Sequence, residues 1–178
     1  LGKSRFKVFN KKMHAQALEL MALETDLRRA VDLHEFEVAY QPIVSLESRK
    51  VCGFEALVRW RHPDHGIIGP ADFVSLAEDT GLIYTIDNMV LNEACNQIKQ
   101  WQDQLGVSSG EELTINVNIS GKHFGQSMLV GQVNKALEAS GLGAESLFLE
   151  ITESALMDNP AMAEEMLQQL KDVGVRIC

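Results

Sequence analysis

Apolar and polar positions along the chain change their period several times, and each change marks an element. From about Lys12 to Asp32, Leu20, Leu23, Leu27 and Val31 recur three and four apart, which predicts an amphipathic helix. Glu24 and Arg28 sit at i,i+4 on it, a spacing that supports an ion pair. Such a helix suits a lever between domains, and equally a helix packed on the domain that follows. Glu37 to Val44 reads as a strand whose far end is restricted by Pro42, because proline cannot donate to a ladder. A polar turn, Ser45 to Lys50, then leads into a second strand, Val51 to Trp60. A parallel crossover needs roughly a dozen residues, so these two strands are expected to pair antiparallel.

Arg61 to Gly69, with His62, Pro63 and His65, reads as a loop. Pro70 at a first helical position opens a short helix that turns Phe73, Leu76 and Ala77 inward and stops at Gly81, a common pairing of start and stop signals. Ile83, Ile86, Val90, Ala94, Ile98 and Trp101 form one stripe on a longer helix, about Ile83 to Gln104. Glu111 to Ser120 is the next predicted strand, Asn134 to Ala139 lies in a helix ending at Gly141, and Leu147 to Ile151 is another strand. Asn159 with Pro160 caps a helix carrying Met162, Met166, Leu167 and Leu170, and Val173 to Cys178 begins one more strand. Alternation of helix and strand from about residue 81 onward predicts an α/β fold with parallel strands and right-handed crossovers. At 178 residues the chain can bury a real core, yet it is short of the roughly 250 that a complete eight-stranded barrel takes.

Charge narrows the function classes. Lys and Arg total 16 against 25 Asp and Glu, a net charge of -9, which argues against a binder of DNA or RNA backbones. A small anionic ligand is compatible with this balance if a metal inverts the local sign. Cys52, Cys95 and Cys178 are odd in number and lack metal-ligand spacing, so a reducing compartment is expected. Neither a long apolar run nor the apolar core of a signal peptide is present, and a cytoplasmic domain is expected, with an anchor elsewhere in a longer parent left open.

Candidate chemistry gathers on three strands. In Phe54 to Trp60 the strand period puts Glu55, Leu57 and Arg59 on one face and Phe54, Ala56, Val58 and Trp60 on the other. An acid and a base on one face of a buried strand must pair, bind a metal or hold a ligand. Ile115, Val117 and Ile119 likewise alternate with Thr114, Asn116, Asn118 and Ser120, and buried asparagines need partners. Glu150 and Thr152 point opposite to Leu149 and Ile151. In α/β barrels the C-terminal strand ends carry the active site, which brings Glu55, Asn118 and Glu150 together if the strands are neighbours. Two carboxylates and an amide are hard oxygen donors suited to Mg²⁺ or Mn²⁺. Taken singly, Asn118 also fits a backbone-bonding role, and Glu150 a buried ion pair with Arg59. His14, His34, His65, His123 and the cysteines give no constellation and read as structural or surface residues.

The ordered set Gln41-Pro42, Glu55-Ala56-Leu57 with Val58-Arg59-Trp60 and His62-Pro63, Asn118-Ile119-Ser120 and Glu150-Ile151-Thr152-Glu153-Ser154 resembles the EAL domain, the cyclic di-GMP phosphodiesterase family, over about residues 33 to 178. The segment to Asn10, with Arg5, Phe6, Val8 and Phe9, resembles the tail of a GGDEF (diguanylate cyclase) domain. The resemblance thus implies three parts: residues 1–10 as that tail, 11–32 as a linker helix, and 33–178 as the N-terminal portion of an EAL domain. It implies a TIM-like (β/α) barrel with an antiparallel first strand pair, here about its first five strands. It further implies that Glu55, Asn118 and Glu150 bind Mg²⁺ or Mn²⁺, and that Gln41 and Arg59 contact the dinucleotide; Leu57, on the same strand face, is read either as packing into the barrel interior or as an apolar contact to the ligand. Glu153 would anchor the loop controlling the metals, and Glu55, Glu150 and Glu153 would form the catalytic set for hydrolysis to linear pGpG.

The family pattern continues past Cys178 into paired aspartates, a lysine, a glutamate and a glutamine. The 178 residues are therefore expected to be inactive by themselves, to present an open sheet edge and to form a homodimer through it. A degenerate EAL module that binds cyclic di-GMP or a protein partner without catalysis is the alternative, and a buried Glu55, Arg59 and Glu150 network with no metal is the third.

Overall fold

A computed structural model describes residues 11–106, 113–158 and 160–178 of the chain. The charged helix is α1 (Lys11–Asp32), and it packs on the domain: Leu27 and Ala30 are fully buried, although Leu20 of the predicted stripe faces solvent. Strand β1 (Phe36–Val44) pairs antiparallel with β2 (Val51–His62), with Glu37 opposite Arg59 and Gln41 opposite Glu55. The expected loop after Trp60 is instead largely a hairpin. Strand β2 runs on to His62 and the short β3 (Gly66–Ile68) folds back along it, with Gly66 at φ 71 closing the turn.

What holds that hairpin is His62, a buried side chain that sequence periodicity treats as loop. Its Nδ1 accepts from the amides of Asp64 and His65 at 3.1 and 3.2 Å, and its Nε2 faces Asp26 Oδ2 of α1 at 3.4 Å. Because Nδ1 is the acceptor, Nε2 carries the proton toward the carboxylate. Beside it, Trp60 donates to Glu35 at 3.2 Å. Strand β2 and helix α1 are thus clasped together on the side of the sheet opposite Glu55.

Helix α2 (Pro70–Thr80) starts at Pro70 and ends at Gly81, whose φ of 74 is the left-handed conformation expected of a glycine stop. Helix α3 (Ile83–Leu105) follows, and Ile83, Ile86, Val90, Leu91, Ala94 and Ile98 are buried along it. Strand β4 (Thr114–Ile119), the one-turn helix α4 (Gly121–Phe124), helix α5 (Met128–Ser140) and strand β5 (Leu147–Ile151) come next. Helix α6 (Glu153–Asp158), helix α7 (Pro160–Val173) and strand β6 (Arg176–Ile177) complete the described elements. Val173 closes α7, so the last strand begins later than periodicity suggests, after a turn at Gly174 with φ 97. The expected cap at Asn159 and the start of the predicted strand at Glu111 lie outside the described residues.

The strands line up as β1, β2, β4, β5, β6, with β3 hung on β2, and every neighbouring pair from β2 to β6 along this row is parallel. Sequential parallel neighbours joined by helices are the winding of an α/β barrel. One face of the sheet carries Ala56, Trp60, Ile115, Val117, Ile119, Leu147 and Leu149, all buried. Helices cover this face, and each fully buried Ile or Leu contributes about 2 kcal/mol. Close approach of β2 and β4 relies on Gly53, where a Cβ would lie 2.4 Å from Thr114 Oγ1.

Candidate functional site

The opposite face carries the polar residues in registered rows. Glu55 of β2 stands level with Gln41 on one side and Asn116 on the other, and Asn118 of β4 stands level with Glu150 of β5. Side chains then reach diagonally between rows. Asn118 Nδ2 donates to Glu55 Oε1 at 2.9 Å, and Asn116 Nδ2 donates to Glu150 Oε1 at 2.7 Å. Each asparagine therefore orients a carboxylate on a neighbouring strand, which answers the need for partners that the alternation implied. The bonds engage neither the second oxygen of each carboxylate nor Asn118 Oδ1.

Glu55, Asn118 and Glu150 line one cavity of about 860 Å³ with Leu57, Asp87 and Thr152, within the size range of small-molecule sites. Their donor chemistry fits a hard divalent cation, since three oxygens from three strands are held or aimed by amide donors. Among the described residues no three Asp, Glu, His or Cys side chains close on a common point. The third donor here is an amide oxygen, so water or a bound phosphate would have to complete any coordination shell. Cys178, at the same cavity, has its thiol pushed up by burial and then by the Glu150 carboxylate.

The remaining sequence candidates fall around this centre. Leu57 lines the cavity. Arg59 is half-buried and donates from Nη1 to the Val58 carbonyl at 2.8 Å, while Glu150 is engaged by Asn116; the alternative ion pair between Arg59 and Glu150 is not what the structure forms. Gln41 is exposed on β1 across from Glu55. Glu153 is exposed in the first turn of α6, next to the cavity residue Thr152.

Sequence reasoning missed two contributors. Asn116 was placed on the right face without a role. Asp87 lies at i+4 from Ile83 and i−4 from Leu91, on the buried side of α3, and a carboxylate within an apolar stripe is the signal that could have found it. Asp87 Oδ2 accepts from the Ser120 amide at 3.1 Å and from His123 Nδ1 at 3.2 Å. His123, expected to be structural or at the surface, is wholly buried.

Known proteins resemble the chain in sequence and in fold. The family model described as the EAL domain matches residues 24–178. Among curated relatives, the chain is 37% identical over 176 residues to Cyclic di-GMP phosphodiesterase NbdA of Pseudomonas aeruginosa, covering 99% of this chain and 22% of that protein. It is 39% identical over 176 residues to Bifunctional diguanylate cyclase/cyclic di-GMP phosphodiesterase MucR of the same organism, covering 99% of this chain and 25% of that one. The chain thus spans about a quarter of the length of these relatives. Among solved structures, the PaMucR phosphodiesterase in complex with c-di-GMP superposes with a TM-score of 0.80 at 39% identity, over 89% of this chain and 62% of that one. The EAL enzyme Bd1971, with cAMP and cyclic di-GMP bound, gives a TM-score of 0.83 at 33% identity, over 91% of this chain and 44% of that one.

Proposed function

Since this chain belongs to the EAL domain family, we propose that it supplies the Glu55, Asn118 and Glu150 wall of a metal-dependent phosphodiesterase acting on cyclic di-GMP. The observation that carries the reading is the convergence of those three side chains on one cavity, with Glu55 and Glu150 each held by an asparagine. Bound Mg²⁺ or Mn²⁺ would acidify a water and offset phosphate charge. The chain's own residues do the rest of the placing. Glu55 and Glu150 present acceptor oxygens, Arg59 turns its guanidinium to a phosphate, Leu57 meets the ligand with an apolar side chain, and Gln41 offers an amide across from Glu55. Glu153 steadies the turn that follows Thr152. Water adds at one phosphorus, the P–O3′ bond opens with the proton ending on O3′, and linear pGpG results.

Two carboxylates and one amide are a sparse donor set for two-metal hydrolysis, so the 178 residues alone are expected to bind without turning over. The GGDEF-like tail at residues 1–10, the linker role of 11–32, a cyclase domain ahead of them and a cytoplasmic setting belong to the same proposal. Among the described residues no helix is long and apolar enough to cross a membrane. Calorimetric titration of the chain with Mn²⁺ and then cyclic di-GMP tests the reading. Uptake of both that is lost in Glu55→Ala supports it, whereas no Mn²⁺ uptake, or uptake indifferent to Glu55→Ala, would leave a buried polar network in place of a metal centre. Cyclic di-GMP binding that persists without metal would favour the non-catalytic module.

A further inference from the structure

Behind Asn118, where β4 ends, Asp87, Ser120 and His123 form a three-membered hydrogen-bonded circuit to which the chemistry above assigns no role. Ser120, the N-cap of α4, donates its amide to Asp87 Oδ2 at 3.1 Å and accepts the His123 amide on Oγ at 3.2 Å. His123 closes the loop from its side chain, with Nδ1 at 3.2 Å from the same Asp87 oxygen. Its other nitrogen meets Gln132 Oε1 of α5 at 2.6 Å, and Tyr84 of α3 stands edge-on at 5.6 Å. A carboxylate only accepts, so Nδ1 carries a proton. Gln132 satisfies Nε2 through either end of its amide, and the link to Asp87 is the same in both cases.

We propose that His123, backed by Gln132, is a positioning residue that holds the Asp87 carboxylate against the Ser120 amide and so fixes the end of β4 from which Asn118 reaches Glu55. Helix α4 has four residues, and a single turn has little stability of its own, so the strand end needs an outside anchor. Asp87 is that anchor because it sits on the 23-residue α3. With one backbone donor alone, however, its buried carboxylate would be under-satisfied. The imidazole supplies the second donor, to the same oxygen, and pins Asp87 Oδ2 between Ser120 and His123. The consequence for a cation rests on the reading given above; the link to Ser120 does not.

A ¹⁵N-labelled 178-residue chain tests this by two independent readouts: hydrogen exchange of the Ser120 amide, and the Mn²⁺ concentration that half-broadens the Asn118 side-chain amide. His123→Leu fills the volume without a donor, and His123→Asn restores a donor near Nδ1. In His123→Leu, Ser120 is expected to exchange about tenfold faster and the Mn²⁺ midpoint to rise about tenfold, the usual cost of losing an outer partner. In His123→Asn both are expected within about twofold of wild type. Wild-type values for both in a folded His123→Leu would overturn the proposal, as would failure of His123→Asn to restore them. Should His123→Leu not fold, Gln132→Leu decides: faster Ser120 exchange supports the circuit and unchanged exchange overturns it. Absence of any Mn²⁺ response in wild type would sink the metal reading alone, since Ser120 exchange still judges the positioning role.

Discussion

Tyr40 shows how a single side chain can sit against its own chemistry. Its ring packs edge-on to Trp101 at 5.0 Å, and its hydroxyl is buried with no hydrogen-bond partner among the described residues. An unpaired buried hydroxyl costs roughly 1–3 kcal/mol. Tyr40→Phe is therefore expected to stabilise the chain by about 1 kcal/mol, a rise of about 2–4 °C in a thermal melt; a lower midpoint would show that the hydroxyl has a partner after all. The same neighbourhood sets an alkaline limit. Burial pushes the Cys95 thiol up to about 12, and burial, then Glu93 and Cys95, raise the Tyr40 phenol as well. Both are acids kept neutral by folding, so their stabilisation is complete below the ordinary thiol value of 9.0 and is lost as pH climbs toward about 12. The melting midpoint should fall between those limits, less steeply in Cys95→Ala, and a flat profile would contradict this. At the site, Asn116→Ala frees the Glu150 carboxylate and should weaken Mn²⁺ binding about tenfold by calorimetry without unfolding the chain. Glu55, Asn118 and Glu150 were legible because a strand's period of two sorts faces without knowledge of the partner. Asp87 and His123 were not, because their meaning lies in a contact across 36 positions.

At the scale of elements, legibility followed length. Helices α2 and α3 carry their own start and stop signals and several turns of stripe, and they begin where Pro70 and Ile83 say they should. Strand β3 and helices α4 and α6, three to six residues each, are too short to show a period and exist through their contacts. Two substitutions probe how elements are joined. Gly53→Ala drives a methyl into Thr114 at the β2–β4 contact, and a loss of about 1–3 kcal/mol is expected in urea unfolding; a neutral result would mean the strands can part freely. His62→Ala strips the acceptor from two backbone amides and should cost about 2 kcal/mol or more. Asp26→Asn, which leaves that acceptor in place, should cost about 1 kcal/mol at most. Equal losses in the two would place the clasp's strength in the helix contact instead of the hairpin.

For the molecule as a whole, connection lengths were enough to read one antiparallel pair followed by parallel strands, and the structure has that winding. Which strands lie outermost was not readable from period or spacing. Among the described residues β1 and β6 end the ladder, each bonded on one side, and the polar face around Asn118 is open. Unpaired ladder edges invite pairing with another chain. We propose that the 178-residue chain pairs through such an edge: light scattering is expected to show concentration-dependent dimers, and a monodisperse monomer at every concentration would overturn the homodimer expected from the sequence.

The reversed first strand has a mechanical corollary. Running against its neighbours, β1 begins beside Trp60 and Arg59, beyond Glu55 in the direction in which β4 and β5 lead to Ser120 and Thr152. Incoming backbone therefore joins the sheet near the mouth of the cavity and not at its floor, where a uniformly wound barrel would admit it. Asp26 of α1 faces His62, three residues along β2 from Arg59, so α1 is tied to the sheet at that same end.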